Sequence, residues 1–211
     1  MNWNEFLREA VTEKDLDLVR QALGQGADPN CFDASDSVCA GTTPLYWAVT
    51  GGSVEIVRCL LEAGAQVAAE EAQDKSSSLH AAVEDMNLPM INLLLEYDGS
   101  VALNWFDFLT RTPLLIAVAA GNIPIAKRLI KAGADVNAHN EPKIGDTALR
   151  IAAGNGTLEM VELLLCAGAD PTIQGWMGIT PLDKAHERKR GDGPRIYELL
   201  EQSAKQFKGV L

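Results

Sequence analysis

The stretch "TTPLYWAV", residues 42–49, sets Thr43, Pro44 and Leu45 ahead of two aromatic residues and an alanine. A threonine hydroxyl accepts from the unpaired N–H groups of a helix start. Proline is tolerated in the first turn because its missing N–H would find no partner there. Leu45 and Ala48 then fall on one helical face, the alanine small enough for a neighbouring element to come close. The pattern returns as Ser77-Ser78-Leu79-His80-Ala81-Ala82, Thr112-Pro113-Leu114, Thr147-Ala148-Leu149 and Thr180-Pro181-Leu182. Register positions 43, 77, 112, 147 and 180 are 34, 35, 35 and 33 residues apart. Gly26-Ala27, Gly64-Ala65, Gly99-Ser100, Gly133-Ala134 and Gly168-Ala169 keep the same interval, each closing an apolar run of helical period such as "VEIVRCLLEA" or "LEMVELLLCA". A glycine there predicts a helix end in the left-handed conformation, and Pro89 and Pro124 mark the starts of second helices.

These in-phase copies resemble the ankyrin repeat, a helix–turn–helix unit of about 33 residues with a Thr-Pro-Leu-His-x-Ala signature. The resemblance covers nearly the whole chain. It implies an all-α solenoid of helix–turn–helix units joined by β-hairpin-like loops, each unit stable only against its neighbours. "NEFLREAVTEKDLDLVRQALGQGADPN" fits the plan without Thr-Pro, Leu7 and Ala10 aligning with Leu45 and Ala48, and reads as an N-terminal cap; "PRIYELLEQSAKQFKGVL" reads as the opposite cap. The expected organisation is one stand-alone domain over 1–211, with units at 1–37, 38–71, 72–106, 107–141, 142–174 and 175–211. The 38 residues from Leu7 to Leu45 predict a bulge at Cys31–Ser37, and the third unit departs most, with Met86 where glycine is usual.

Composition agrees with helices. Apolar residues make up 47% and aromatic residues 6%, so the chain has a core to bury but little of the aromatic material of a sheet sandwich. The net charge of −11 disfavours phosphate backbones and anionic headgroups and favours a basic partner, although acidity also serves plain solubility. Cys31, Cys39, Cys59 and Cys166 have no metal-ligand spacing. Cys59 and Cys166 lie in apolar helical runs and are expected to pack as small hydrophobes. The start shows no secretory signal and no run spans a bilayer, so a cytoplasmic location is expected.

Chemistry for catalysis is missing from the pattern. His80 occupies the signature position, where the resemblance implies hydrogen bonding to a neighbouring loop; His139 falls in a loop tip and His186 beside Glu187 and Arg188. "GWMG" and "GDG" are too short to cradle phosphate. Asp15, Asp17, Glu55 and Glu159 read as helix-face carboxylates, and Lys184, Arg188, Lys189 and Arg190 as a solvated helix end. "DVN" at Asp135–Asn137 resembles an asparaginyl hydroxylation site, but reads first as turn chemistry. No enzyme activity, cofactor or metal is expected.

The family binds other proteins through a concave surface of loop tips and first-helix faces. Carried over by register, that surface comprises Asp74, Glu84 and Asp85 in the third unit and Phe108, Leu109 and Arg111 in the fourth. The fifth supplies Lys143, Ile144, Asp146 and Asn155, and the last Trp176, Met177, Ile179, Glu187 and Arg188. Aromatic side chains at loop tips suit a binding hot spot, although Trp105 and Phe106 are expected to fold back over the irregular loop and Trp47 to belong to the framework. With Glu13, Asp74, Glu84 and Asp85 on the N-terminal half, the expected partner is a protein with a basic and apolar surface, bound by a chain that is monomeric when alone. Neither nucleic acid nor membrane is expected. The role most in keeping with the charge is an immunity protein neutralising a basic toxin. A scaffold or effector capturing a regulatory or host protein, or a plain structural spacer, would use the same fold.

Overall fold

The computed structural model describes residues 2–32, 42–68, 76–140 and 145–208. Among them the chain forms twelve α-helices in six consecutive pairs. The pairs are α1 (Trp3–Thr12) with α2 (Leu16–Gly24), α3 (Pro44–Thr50) with α4 (Val54–Glu62) and α5 (Ser78–Glu84) with α6 (Leu88–Glu96). They continue with α7 (Pro113–Ala119) and α8 (Ile123–Lys131), α9 (Ala148–Asn155) and α10 (Leu158–Cys166), and α11 (Pro181–Glu187) and α12 (Gly193–Lys208). Short 3-10 turns occupy Gly99–Ala102 and Trp176–Gly178, and no strand occurs among the described residues. The bulge expected around Cys31–Ser37 lies mostly in 33–41, outside the described residues.

The recurring threonine does what its chemistry allows. Thr43, Thr112, Thr147 and Thr180 each accept, through the side chain, from the backbone N–H three residues on, and Ser77 does the same toward His80. Four of the second helices end in one shared motif. Gly26, Gly64, Gly133 and Gly168 take φ near +90° to +101°. The following alanine N–H then reaches back to a carbonyl one turn earlier, as Ala65 does to Leu60 at 2.9 Å.

The third pair breaks the motif. Gly99 opens a 3-10 turn instead of a left-handed cap, and a Cβ on it would lie 2.6 Å from the Leu94 carbonyl oxygen. This glycine is therefore required by close approach, which differs from the equivalence with Gly64 that spacing suggests. Lys14 and Met86 sit at φ 58° and 51°, where Gly52 and Gly121 stand in other pairs.

The chain divides into two compact units, Met1–Phe108 and Leu109–Leu211. Within the first, α1, α3 and α5 lie side by side; within the second, α7, α9 and α11 do. What lets them do so is an alanine ladder: Ala10, Ala48 and Ala82 in one unit and Ala117 and Ala152 in the other are at most 1% exposed. One turn earlier Leu7, Leu45, Leu79, Leu114 and Leu149 are equally buried. Truncating one of these leucines to alanine costs about 2–5 kcal/mol.

Side-chain amides tie successive loops. Asn30 donates through Nδ2 to the Gly64 carbonyl at 3.0 Å and accepts through Oδ1 from the Gln66 N–H at 2.8 Å. Asn137 repeats this with Gly168 at 3.1 Å and Asp170 at 2.8 Å. The "DVN" motif is therefore a clamp: Asp135 accepts from the Asn137 N–H and Asn137 grips the next loop. His80 is buried. The Trp105 carbonyl can only accept, so His80 Nε2 donates to it at 3.1 Å, and Nδ1 accepts from the Ser77 N–H at 3.2 Å.

Two expectations change. Cys166 is exposed, because α10 turns Met160, Val161 and Leu164 inward and leaves Cys166 on another side of an otherwise apolar helix. Cys59 is half-buried; burial pushes its thiol up from the ordinary value, with Arg20 opposing. Asp15 is the N-cap of α2, accepting from the Asp17 and Leu18 N–H groups, and not a face carboxylate.

Candidate functional site

Each first helix turns Leu and Ala toward its partners and a second stripe away from them. In Met1–Phe108 that outward stripe carries Glu9 and Thr12 on α1 with Glu13 as its C-cap, Trp47 and Thr50 on α3, and Glu84 on α5 with Asp85 as its C-cap, all exposed. Glu9 and Trp47 hold the same register position, two residues beyond the buried leucine. Trp47 is 37% exposed and beside it runs a trough lined by Val11, Thr12, Lys14, Trp47, Thr50 and Gly51. A second, acidic depression shares Thr12 and is lined by Glu5, Arg8, Glu9 and Glu13. Trp47 is therefore partly exposed, while its Nε1–H donates to the buried Thr42 hydroxyl at 2.8 Å, in keeping with the framework role expected for it. Register alone does not decide this, since the equivalent position is exposed at Glu9 but buried at Ala81 and Ile116.

In Leu109–Leu211 the outward stripes of α9 and α11 enclose a cleft lined by Asp146, Arg150, Ile151, Gly154, Asn155, Lys184, Glu187 and Arg188. Four of the residues carried over by register thus come together: Asp146, Asn155, Glu187 and Arg188. Arg150, which replaces the histidine of the signature, pairs with Asp146. Burial lowers its guanidinium from the ordinary value, with the Glu187 carboxylate opposing. Lys184 pairs with Glu187 at 3.0 Å, and Arg188 Nη1 donates to the Ala153 and Gly156 carbonyls at 3.2 and 2.9 Å, capping the end of α9. Lys184 and Arg188 are thus engaged rather than a loosely solvated helix end. At about 210 Å³ the cleft is smaller than the roughly 300–1,000 Å³ of ligand pockets, and it holds no nucleophile beside a base.

The other carried-over residues are dispersed. Phe108 is 60% exposed and Leu109 52%. Arg111 is half-buried, as are Trp105 and Phe106. Met177 is 75% exposed and held at φ 60°, with Ile179 half-buried after it. Trp176 opens that 3-10 turn. Asp74, Lys143 and Ile144 lie outside the described residues. His139 is half-buried and donates through Nδ1 to the Asn137 carbonyl at 2.8 Å, and exposed His186 packs against the Tyr197 ring at 5.6 Å.

Charge is unevenly shared. Residues 1–108 carry 18 acidic and 5 basic side chains, residues 109–211 carry 11 and 13, so the whole acid excess belongs to the first unit. Among the described residues no cluster of histidine, cysteine and carboxylate side chains could hold a metal, and no helix is long and apolar enough to cross a membrane.

Comparison with known proteins agrees with this architecture. A family model of ankyrin repeats matches residues 7–104 and 101–175. The nuclear factor NF-kappa-B p105 subunit of Gallus gallus is 33% identical over 138 residues, 65% of this chain and 14% of that protein. The B-cell lymphoma 3 protein homolog of Mus musculus is 33% identical over 124 residues, 57% of this chain and 27% of that protein. The chain therefore spans only a minor part of the length of these relatives. The crystal structure of an ankyrin repeat domain from Acinetobacter baumannii superposes with a TM-score of 0.80 at 29% identity, covering 93% of this chain and 96% of that one.

Proposed function

The chain belongs to the ankyrin repeat family, whose domains are protein-binding modules and typically not enzymes, and we propose that it is a single non-catalytic binding domain for a basic protein. The observation that carries this reading is the confinement of the acid excess to residues 1–108, where Glu9, Glu13, Glu84 and Asp85 lie on the outward stripe of the first helices. Such a surface speeds encounter with a positively charged partner and repels nucleic acid and anionic lipid. The specific role we propose is neutralisation of a basic toxin, since a toxin that acts on nucleic acid must itself present a cationic face for the chain to cover.

The test is co-expression with the product of the neighbouring reading frame. A one-to-one complex that weakens with salt and protects cells supports neutralisation. A complex without protection moves the assignment to a scaffold or effector that captures a regulatory or host protein. Turnover of a small substrate, or salt-sensitive DNA binding by the purified chain, overturns the binding-module reading itself.

A further inference from the structure

We propose that the trough beside Trp47 is an anchor pocket for one apolar side chain of a partner segment whose neighbouring residues are lysine or arginine. This rests on the protein-binding reading and names the chemistry its first unit recognises. Trp47 is 37% exposed on a helix face, and here the ring is already held. Its Nε1–H donates to the buried Thr42 hydroxyl at 2.8 Å, so the ring keeps one orientation without a partner and little ordering is left for binding to supply. The rest of the lining is mostly apolar: Val11 is buried, and the Thr12 and Thr50 hydroxyls are taken up by the Arg8 carbonyl and by the Tyr46 and Trp47 carbonyls.

Lys14 does not fill the trough with charge. Its ammonium donates to the Gly51 carbonyl at 2.9 Å at the end of α3, and its backbone is held at φ 58°, a left-handed conformation that non-glycine residues rarely adopt. Gly51 keeps the trough open, since a Cβ there would meet the Trp47 carbonyl oxygen at 3.0 Å and Lys14 Cε at 3.4 Å. The flank of the trough at Thr12 is acidic, since the depression that shares Thr12 is lined by Glu5, Glu9 and Glu13 together with Arg8. An aromatic anchor with a polar border is the arrangement of an interface hot spot. The charge of this flank selects a segment that presents cations around its apolar knob and turns away acidic ones.

The test is titration of the ¹⁵N-labelled full chain with the peptide acetyl-Arg-Lys-Leu-Lys-Arg-amide, followed at the Trp47 indole N–H and the Thr12 and Thr50 amides. Two control peptides replace the leucine by glycine or all four cations by glutamate. The expected result is a saturable shift at these signals, at least tenfold weaker with either control and with Trp47→Ala, and unchanged with Gln202→Ala, an exposed position on α12. Thr12→Arg, an exposed substitution that sets a cation over the trough without disturbing the core, should weaken binding similarly and guards against misfolding of Trp47→Ala. Equal binding of the leucine and glycine peptides, equal binding of the glutamate peptide, or no shift at Trp47 overturns the pocket. A protein partner bound with the same affinity by wild type, Trp47→Ala and Thr12→Arg overturns the pocket while leaving the binding-module reading standing. Peptide capture at Trp47 by a chain with enzymatic turnover does the reverse.

Discussion

Replacing Asn30 or Asn137 by alanine tests whether successive loops are clamped by side-chain amides or only by the helices behind them. Each amide makes two hydrogen bonds across to the next loop, at 3.0 and 2.8 Å for Asn30 and 3.1 and 2.8 Å for Asn137. A net contribution of about 0.5–1.5 kcal/mol per bond gives about 1–3 kcal/mol per clamp. The bonds lie near solvent and water can replace part of them, so about 1–2 kcal/mol is expected. In urea, with a slope near 2 kcal/mol per molar, that lowers the midpoint by about 0.5–1 M with the slope unchanged. A local readout avoids any breakdown of two-state unfolding in a repeat protein. Asn30→Ala should speed amide exchange at Gln66 and Asn137→Ala at Asp170, each within its own compact unit. Asn30→Asp is no rescue, because it loses the donor to Gly64 and sets a carboxylate against that carbonyl. Losses below about 0.5 kcal/mol with unchanged exchange would refute the clamp, the floor being set by the smallest net bond.

Three further outcomes follow from the same geometry. Ala48→Leu pushes an added isopropyl group into a ladder position that is 1% exposed, and should cost about 1–3 kcal/mol in thermal or urea unfolding; an unchanged midpoint would mean the helices are not in close contact. Iodoacetamide followed by mass spectrometry should modify Cys166 before Cys59 and Cys31, since Cys166 is exposed, burial raises the Cys59 thiol and Cys31 is buried; labelling of Cys59 as fast as Cys166 would contradict this. Asp183 is lowered from its ordinary value by bonds from the Thr180 hydroxyl and then the Thr180 N–H, with His186 adding to them and burial opposing. A depressed carboxylate contributes stability above its unfolded value and loses it as pH falls through the folded one. The gap between wild type and Asp183→Ala should therefore be full at pH 7 and close on acidification below the usual carboxylate range.

The helix starts were legible because capping is local. Thr43, Thr112, Thr147 and Thr180 bond to N–H groups three residues away, so the residues that decide the matter sit side by side in the chain. The alanine ladder was legible from period alone. Gly99 was misread because its reason is a contact with the Leu94 carbonyl rather than a φ angle. The partial exposure of Trp47 was not legible because the same register position is exposed at Glu9 and buried at Ala81 and Ile116.

What the sequence determined on its own is the repeating unit: its length, its helix pair, its caps and its buried stripe, all set by bonds and periodicities within about 35 residues. What the tertiary structure decided is which side chains meet. Arg188 joins the carbonyls of Ala153 and Gly156, Lys14 reaches Gly51, and Val11 and Trp47 come to share one trough. Such meetings depend on how closely neighbouring first helices pack. That distance is set by alanines 34 to 38 residues apart, so no local stretch of chain contains it.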